Sequence, residues 1–173
     1  AALGKNSILD EPLSPSLGVQ AQLPVLLAEY TFNTKEDISD YLKLLGTIKP
    51  YFQSILELEK QKSSAGLFMS DTTLDRILKQ CQSFIAAPDS NYMDDIFTQK
   101  LKTFSNPALS AKDQQKLCTY HHKLICEKVI PAYQELISGL EALRGTGKSS
   151  RGLAFFDGGR EYYLYLLRSQ TGT

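Results

Sequence analysis

From Ser110 to about Arg144 the chain reads as one long amphipathic helix, and this segment constrains the fold more than any other. Ile125, Val129, Tyr133, Leu136, Leu140 and Leu143 recur at three- and four-residue intervals, the spacing that lines one face of a helix. Ser110 followed by Asp113 has the form of a capping box that opens it. A helix with one apolar stripe must bury that stripe against other elements. Sustained period-two alternation occurs nowhere in the chain, so strands are expected to be minor. Pro131 lies inside the long segment. It removes the backbone bond at the Glu127 carbonyl and is expected to bend the helix around its neighbours. The functional reading of that bend is an exposed carbonyl used for binding.

The remaining punctuation gives the partners. Residues 1–24 contain Pro12, Pro15 and Pro24 with little periodicity and are expected to form an extended arm across the surface. Val25-Leu26-Leu27 fits a short buried segment of either type. Thr34 with Asp37 forms a capping box. Ile38, Tyr41, Leu42, Leu45, Ile48, Phe52, Ile55, Leu56 and Glu59 follow at helical spacing, with a kink or break near 46–49 imposed by Pro50. Ser63 to Gly66 ends this region. Ser70 or Asp71 opens a helix stopped by Pro88, Asp94 to Leu101 forms a shorter one, and Asn106-Pro107 is a loop. Gly145 to Gly152 is a loop, and Asp157 caps a closing helix. The expected fold is all-α: an antiparallel bundle of about five to six helices with an extended N-terminal arm. It forms one helical domain, with the arm at 1–24 and the bundle at 25–173.

Lys+Arg and Asp+Glu are both 19, without the basic excess of a nucleic-acid binder. Apolar content of 42% and charged content of 22% are those of a globular chain. No apolar run is long enough for a membrane span. Cys81, Cys118 and Cys126 are too few and scattered for a disulfide framework.

Four features invite a chemical reading. Residues 142–149 match a relaxed phosphate-loop pattern, with Ala142 in place of the first glycine. Such a loop works between a strand and a following helix. Here a helix precedes it, so a helix–helix connection is the expected role. Cys118, His122 and Cys126 share one helix face and suggest zinc. The two sulfurs, however, stand about 12 Å apart at 1.5 Å per residue, too far for one ion. His122 is therefore expected to be a buried structural residue, with His121 on the rim. Glu57 and Glu59, and likewise Asp94 and Asp95, read as solvated helix faces. Finally, Phe155 through Leu167 is dense in aromatics. Spacing pairs Tyr162 with Tyr165 and turns Tyr163 elsewhere. So apolar a closing helix needs a partner surface, and the chain is expected to be a piece of something larger.

Two blocks carry a family resemblance. One runs from Leu13-Ser14-Pro15-Ser16-Leu17-Gly18-Val19-Gln20 through Glu29-Tyr30-Thr31-Phe32 and Tyr41 to Leu45, reaching Gly66-Leu67-Phe68-Met69-Ser70-Asp71. The other runs Val129-Ile130-Pro131-Ala132-Tyr133 and then Gly158-Gly159-Arg160-Glu161-Tyr162-Tyr163. Together they resemble the middle portion of the bacterial "domain of unknown function 885" family, especially its clostridial members. The resemblance implies a large, mostly helical protein similar to zinc metallopeptidases, often exported or lipid-anchored. It implies a His-Glu-x-x-His motif beyond Thr173, in which two histidines hold zinc and the glutamate activates water.

None of those three residues falls in this chain, so no catalytic or metal residue is carried over. The resemblance places only Gly158, Tyr162 and Tyr163 near a cleft. The expectation is a non-catalytic helical portion supporting or partly lining the cleft of the catalytic part. This piece then holds no cofactor, and zinc belongs to the parent. The expected partners are the remainder of the parent chain and, through the parent, a peptide substrate. There is no nucleic acid and no membrane span, and fragments could pair through bared apolar surface. The alternative is a helical protein- or peptide-interaction module with no enzymatic role. Nucleotide binding at 145–149 is a third reading.

Overall fold

The computed structural model describes residues 7–105, 109–148, 152–156 and 158–172. The expected loop at Asn106-Pro107 and the expected cap at Asp157 lie outside them. Among the described residues there are helices and no strand. In chain order they are α1 (Val19–Glu29), α2 (Lys35–Leu45), α3 (Ile48–Ala65), α4 (Asp71–Ile85), α5 (Tyr92–Thr103), α6 (Ala111–Leu124), α7 (Ile130–Glu141) and α8 (Gly159–Thr171). The fold is the expected all-α bundle, with α1 as an added helix.

Local signals set most boundaries. Thr34 accepts the Asp37 amide at 3.2 Å while Asp37 accepts the Thr34 amide at 2.8 Å, the reciprocal capping box. Ser70, Asn91 and Ser110 cap α4, α5 and α6 with side-chain oxygens. Pro50 falls in the first turn of α3, where a missing N–H breaks no helical bond. The expected break near 46–49 is therefore a clean turn at Gly46-Thr47 between two helices. Gly66 closes α3 with φ of 74°, a conformation that glycine adopts without penalty.

The core lies between α3, α4 and α7, with α5 against α6 and α2 against the end of α6. Gly139 on α7 lets the helices close: a Cβ there would meet a Leu56 methyl at 2.7 Å. Tyr133 stands at the centre, fully buried, with Phe52 and Phe84 rings 4.8 and 4.6 Å from its own.

Three expectations are corrected here. The arm does not run to residue 24, because α1 begins at Val19 and contains Pro24. Pro24 cannot donate to the Gln20 carbonyl four residues back. That carbonyl is instead taken by the Tyr133 hydroxyl at 2.8 Å, so a tertiary bond replaces the lost helical one. Within α1 only Leu27 of the Val25-Leu26-Leu27 run is buried. Second, the long helix is not uniformly α. Residues Ile125–Val129 form a π-turn, with the Ile130 amide reaching back to the Ile125 carbonyl. It lies just ahead of Pro131, where the bend was expected, and joins α6 to α7. Third, Glu59 is not on a solvated face. It is fully buried, with Lys62 also buried and its ammonium 3.8 Å from the carboxylate. That is ion-pair distance and not a hydrogen bond. The Lys62 ammonium donates to the Asp10 carbonyl at 2.8 Å, and the Glu59 oxygens have no hydrogen-bond partner. Burial pushes the Glu59 carboxyl above its usual range, with Lys62 opposing.

The Pro24–Gln20–Tyr133 exchange gives a coupling test. Tyr133→Phe strands a buried carbonyl and should cost about 1–3 kcal/mol in urea unfolding. In a Pro24→Ala background the new amide can satisfy Gln20, and the same substitution should cost less. Additive effects would show that the two residues do not share that carbonyl.

Candidate functional site

A connected polar cluster is built by α2, α5, α6 and the π-turn. Asn91 caps α5 through the Met93 amide, which sets Asp94 in the first helical turn facing α6. Its two carboxylate oxygens hold two consecutive histidines: His121 Nδ1 at 2.6 Å and His122 Nδ1 at 2.8 Å. A carboxylate accepts only, so both imidazoles carry their proton on Nδ1. The opposite nitrogens then point away with lone pairs. His121 Nε2 meets the Tyr41 hydroxyl at 3.1 Å. His122 Nε2 lies 3.6 Å from Cys126 Sγ. One carboxylate thus links a buried phenol to a surface thiol.

The two histidines have exchanged their expected places. His121 is fully buried, packed with its ring 4.2 Å from Phe97 and 5.7 Å from Tyr41, nearly parallel to both. His122, expected to be buried, has 43% of its side chain exposed. Burial holds the His121 imidazole below its ordinary value of 6.5, outweighing the hydrogen bond it donates to Asp94, which pulls the other way. Burial, and then the Asp94 charge, hold the Tyr41 phenol well above the usual range. The buried end of the chain is therefore neutral imidazole and neutral phenol.

The outer end opens on a hollow of about 320 Å³ lined by Asp89, Asp94, Thr98, Cys118, Thr119 and His122. Cys118 does not join His122: its sulfur lies 3.5 Å from the Thr98 hydroxyl. The expected three-residue face is thus divided between two neighbours. Cys81 is fully buried on α4, its thiol pushed up to about 12 by burial. Asp94, read from the sequence as solvated, is the residue whose role the sequence reading missed. Its spacing with Phe97 and Leu101, both buried, is the signal that places it on the inward face.

The other sequence candidates resolve separately. In the phosphate-loop-like segment the Gly145 amide donates to the Asp71 carboxylate at 3.0 Å. Arg144 is held by Asp75 and Glu141. A Cβ on Gly147 would meet the Phe68 carbonyl at 2.4 Å. The amide a phosphate would need is occupied by a carboxylate, and the segment packs as a helix–helix connection; Ser149 lies outside the described residues.

Of the three cleft candidates, Gly158 precedes α8 in a left-handed conformation, with φ of 70°. Tyr162 is buried and donates its hydroxyl to the Asp10 carboxylate. Burial first, then Asp10, hold that phenol above its ordinary range. Tyr163 is 54% exposed. Tyr162 and Tyr165 stack at 6.1 Å, as the spacing indicated. A larger groove of about 750 Å³ lies between α1 and α4. Its charged lining residues are the cations Arg76 and Lys79, and its aromatic ones are Phe84 and Tyr92.

These features define an all-α bundle domain stabilised by buried polar contacts. Among the described residues no helix is long and apolar enough to cross a membrane. The family model described as "Bacterial protein of unknown function (DUF885)" matches residues 3–173, and the chain belongs to that family. A solved structure described as "the putative lipoprotein from Colwellia psychrerythraea" superposes with a TM-score of 0.83 at 20% identity. The match covers 94% of this chain and 28% of that one, so the chain spans little more than a quarter of that protein's length. At this identity the likeness establishes the fold. No curated protein matches the chain.

Two measurements test the Asp94 cluster. The native state takes up fewer protons at His121 than the unfolded chain does. Its contribution to stability is therefore complete above about pH 6.5 and is lost as pH falls through the lowered native value. The His121 ring resonances should remain those of neutral imidazole at a pH where an unperturbed histidine is half protonated. Urea midpoints should fall between about pH 7 and about pH 5. Asp94→Ala strands the buried His121 Nδ1–H and should cost about 1–3 kcal/mol; an unchanged midpoint would remove Asp94 from its bridging role.

Proposed function

We propose that this chain is a non-catalytic helical portion of a zinc-metallopeptidase-like protein, supporting and partly lining the cleft of the catalytic part. The observation that carries the reading is the outward face of α8. Tyr163, Leu164 and Leu167 are 54%, 42% and 41% exposed on it, and Phe155 is 59% exposed just before it. α8 packs on the short turn Leu153–Phe155 and is tied down by Tyr162, leaving an apolar surface of the kind that marks an interface. The family match over residues 3–173 and the neighbour's much greater length support a parent that covers this face.

In this reading the His-Glu-x-x-His chemistry and its zinc belong to the parent. Gly158 and Tyr162 fix where α8 starts and how it sits, and Tyr163 faces the catalytic part. The neighbour's description as a lipoprotein supports an exported or anchored parent.

Leu164→Asp combined with Leu167→Asp should leave the isolated chain's stability within about 0.5 kcal/mol, as for surface substitutions. The same pair should lower the melting temperature and peptidase activity of the parent. The isolated chain should not turn over peptides. Turnover by the chain alone, or a parent indifferent to the pair, would overturn the proposal. If the exposed face instead captures separate peptides, saturable peptide binding lost in the pair variant will select the interaction-module reading.

A further inference from the structure

The groove between α1 and α4 has a polar side and an apolar side. Arg76, Lys79, Gln80 and Ser83 line it from α4, at the three- and four-residue spacing of one helix face. Pro15, Ala21 and Pro24 line it from α1 and the segment ahead of it. Phe84 and Tyr92, their rings 5.9 Å apart, supply aromatic surface. Arg76 and Phe84 are separated by about 12 Å along α4, at 1.5 Å per residue. The groove's volume of about 750 Å³ falls within the range of about 300–1,000 Å³ typical of small-molecule sites.

The amides of the groove are already committed. Gln80 Nε2 donates to the Pro15 carbonyl at 2.7 Å. Gln20 Nε2 donates to Gln80 Oε1 at 2.8 Å and to the Ser14 carbonyl at 2.7 Å. Each of these partners only accepts, so both amide orientations are fixed. This network ties the segment ahead of α1 to α4 and holds the groove's shape. The cations are not committed. Asp75, the carboxylate beside Arg76, is taken by Arg144 at 2.7 Å. Among the described residues Arg76 and Lys79 have no hydrogen bond or ion pair, and no carboxylate lines the groove. Three residues apart on one helix, the two side chains are neighbours. The charge that complements them is negative.

We propose that this groove binds a small anionic amphiphile, its single negative head held by Arg76 and Lys79 and its apolar body laid along Pro24, Phe84 and Tyr92. The guanidinium fork of Arg76 matches an anionic head, and Lys79 adds a second positive charge. Pro24 has no N–H to leave unsatisfied beneath an apolar body. The site lies on helices other than α8, so its failure leaves the reading of α8 untouched.

Octanoate titrated into the 173-residue chain, followed by two-dimensional amide NMR, is the test. Shifts should be confined to α1, α4 and the segment around Pro15, and should saturate with a Kd below about 1 mM at low salt. Octanamide keeps the tail without the charge and should bind about tenfold more weakly. Arg76→Gln combined with Lys79→Gln should bring octanoate down to the affinity of octanamide and leave octanamide unchanged. Both side chains are exposed, so the pair should fold normally. Ala21→Leu, which fills the groove, should weaken both ligands, with a dispersed spectrum establishing that it is folded. No saturation by about 10 mM octanoate, or shifts on the apolar face of α8 in place of the groove, would overturn the site. Equal affinity for the two ligands, or an octanoate affinity unchanged in the charge variant, would do the same.

Discussion

The wider spiral at Ile125–Val129 governs how the longest rod of the bundle meets everything else. A π-turn closes its hydrogen bonds one residue later than an α-turn, so side chains on its two sides fall out of a single 3.6-residue register. From the last residue of the turn onward, Val129, Tyr133, Leu136 and Leu140 face the core in ordinary α spacing. Before it, the buried positions are His121 and Leu124, with Leu117 partly buried. Extrapolating the C-terminal stripe backwards at α spacing selects His122 and Cys118 instead. The offset buries His121 against Phe97 and Tyr41 and leaves His122 at the surface beside Cys126.

A second backbone defect is resolved by the same rod. Pro24 costs α1 one internal bond, and the vacancy at Gln20 is filled from the centre of α7 by Tyr133. The proline makes α1 dependent on tertiary structure. A carbonyl left without a helical partner is satisfied only if the Tyr133 hydroxyl arrives. Two helix irregularities that look like local damage in the sequence thus become the points where distant segments are joined: α1 to α7, and α5 to α6 with α2.

This explains which parts of the molecule were legible. Helix starts at Thr34, Ser70 and Ser110 followed from side-chain capping chemistry, which is local. The stop at Pro88 and the turn before Pro50 followed from proline geometry, also local. α1 was missed because three prolines and weak periodicity argued for an arm, and its rescue by Tyr133 is a contact across 113 residues. Glu59 and Asp94 were read as solvated because carboxylates usually are. Their helical spacing with Phe52, Ile55 and Leu56, and with Phe97 and Leu101, pointed inward. Composition outweighed position, and position was the better guide. The two histidines could not be ordered, since nothing in the residue pattern announces a π-turn except Pro131 two residues beyond it.

The closing helix combines a firm anchor with an unfinished surface. Tyr162 reaches Asp10, whose own carbonyl receives the buried Lys62 ammonium. The C-terminal helix, the N-terminal segment and α3 therefore meet at one residue. That junction fixes where α8 lies but buries only one side of it. Leu164 and Leu167 are each more than 40% exposed. Apolar side chains on an anchored helix gain little from water, and burial of each is worth on the order of 2 kcal/mol. A flexible tail could hide such residues by collapsing onto the bundle, whereas a helix pinned through Tyr162 holds them outward. The polar junction thus keeps them at the surface, where only a partner approaching α8 from outside could bury them.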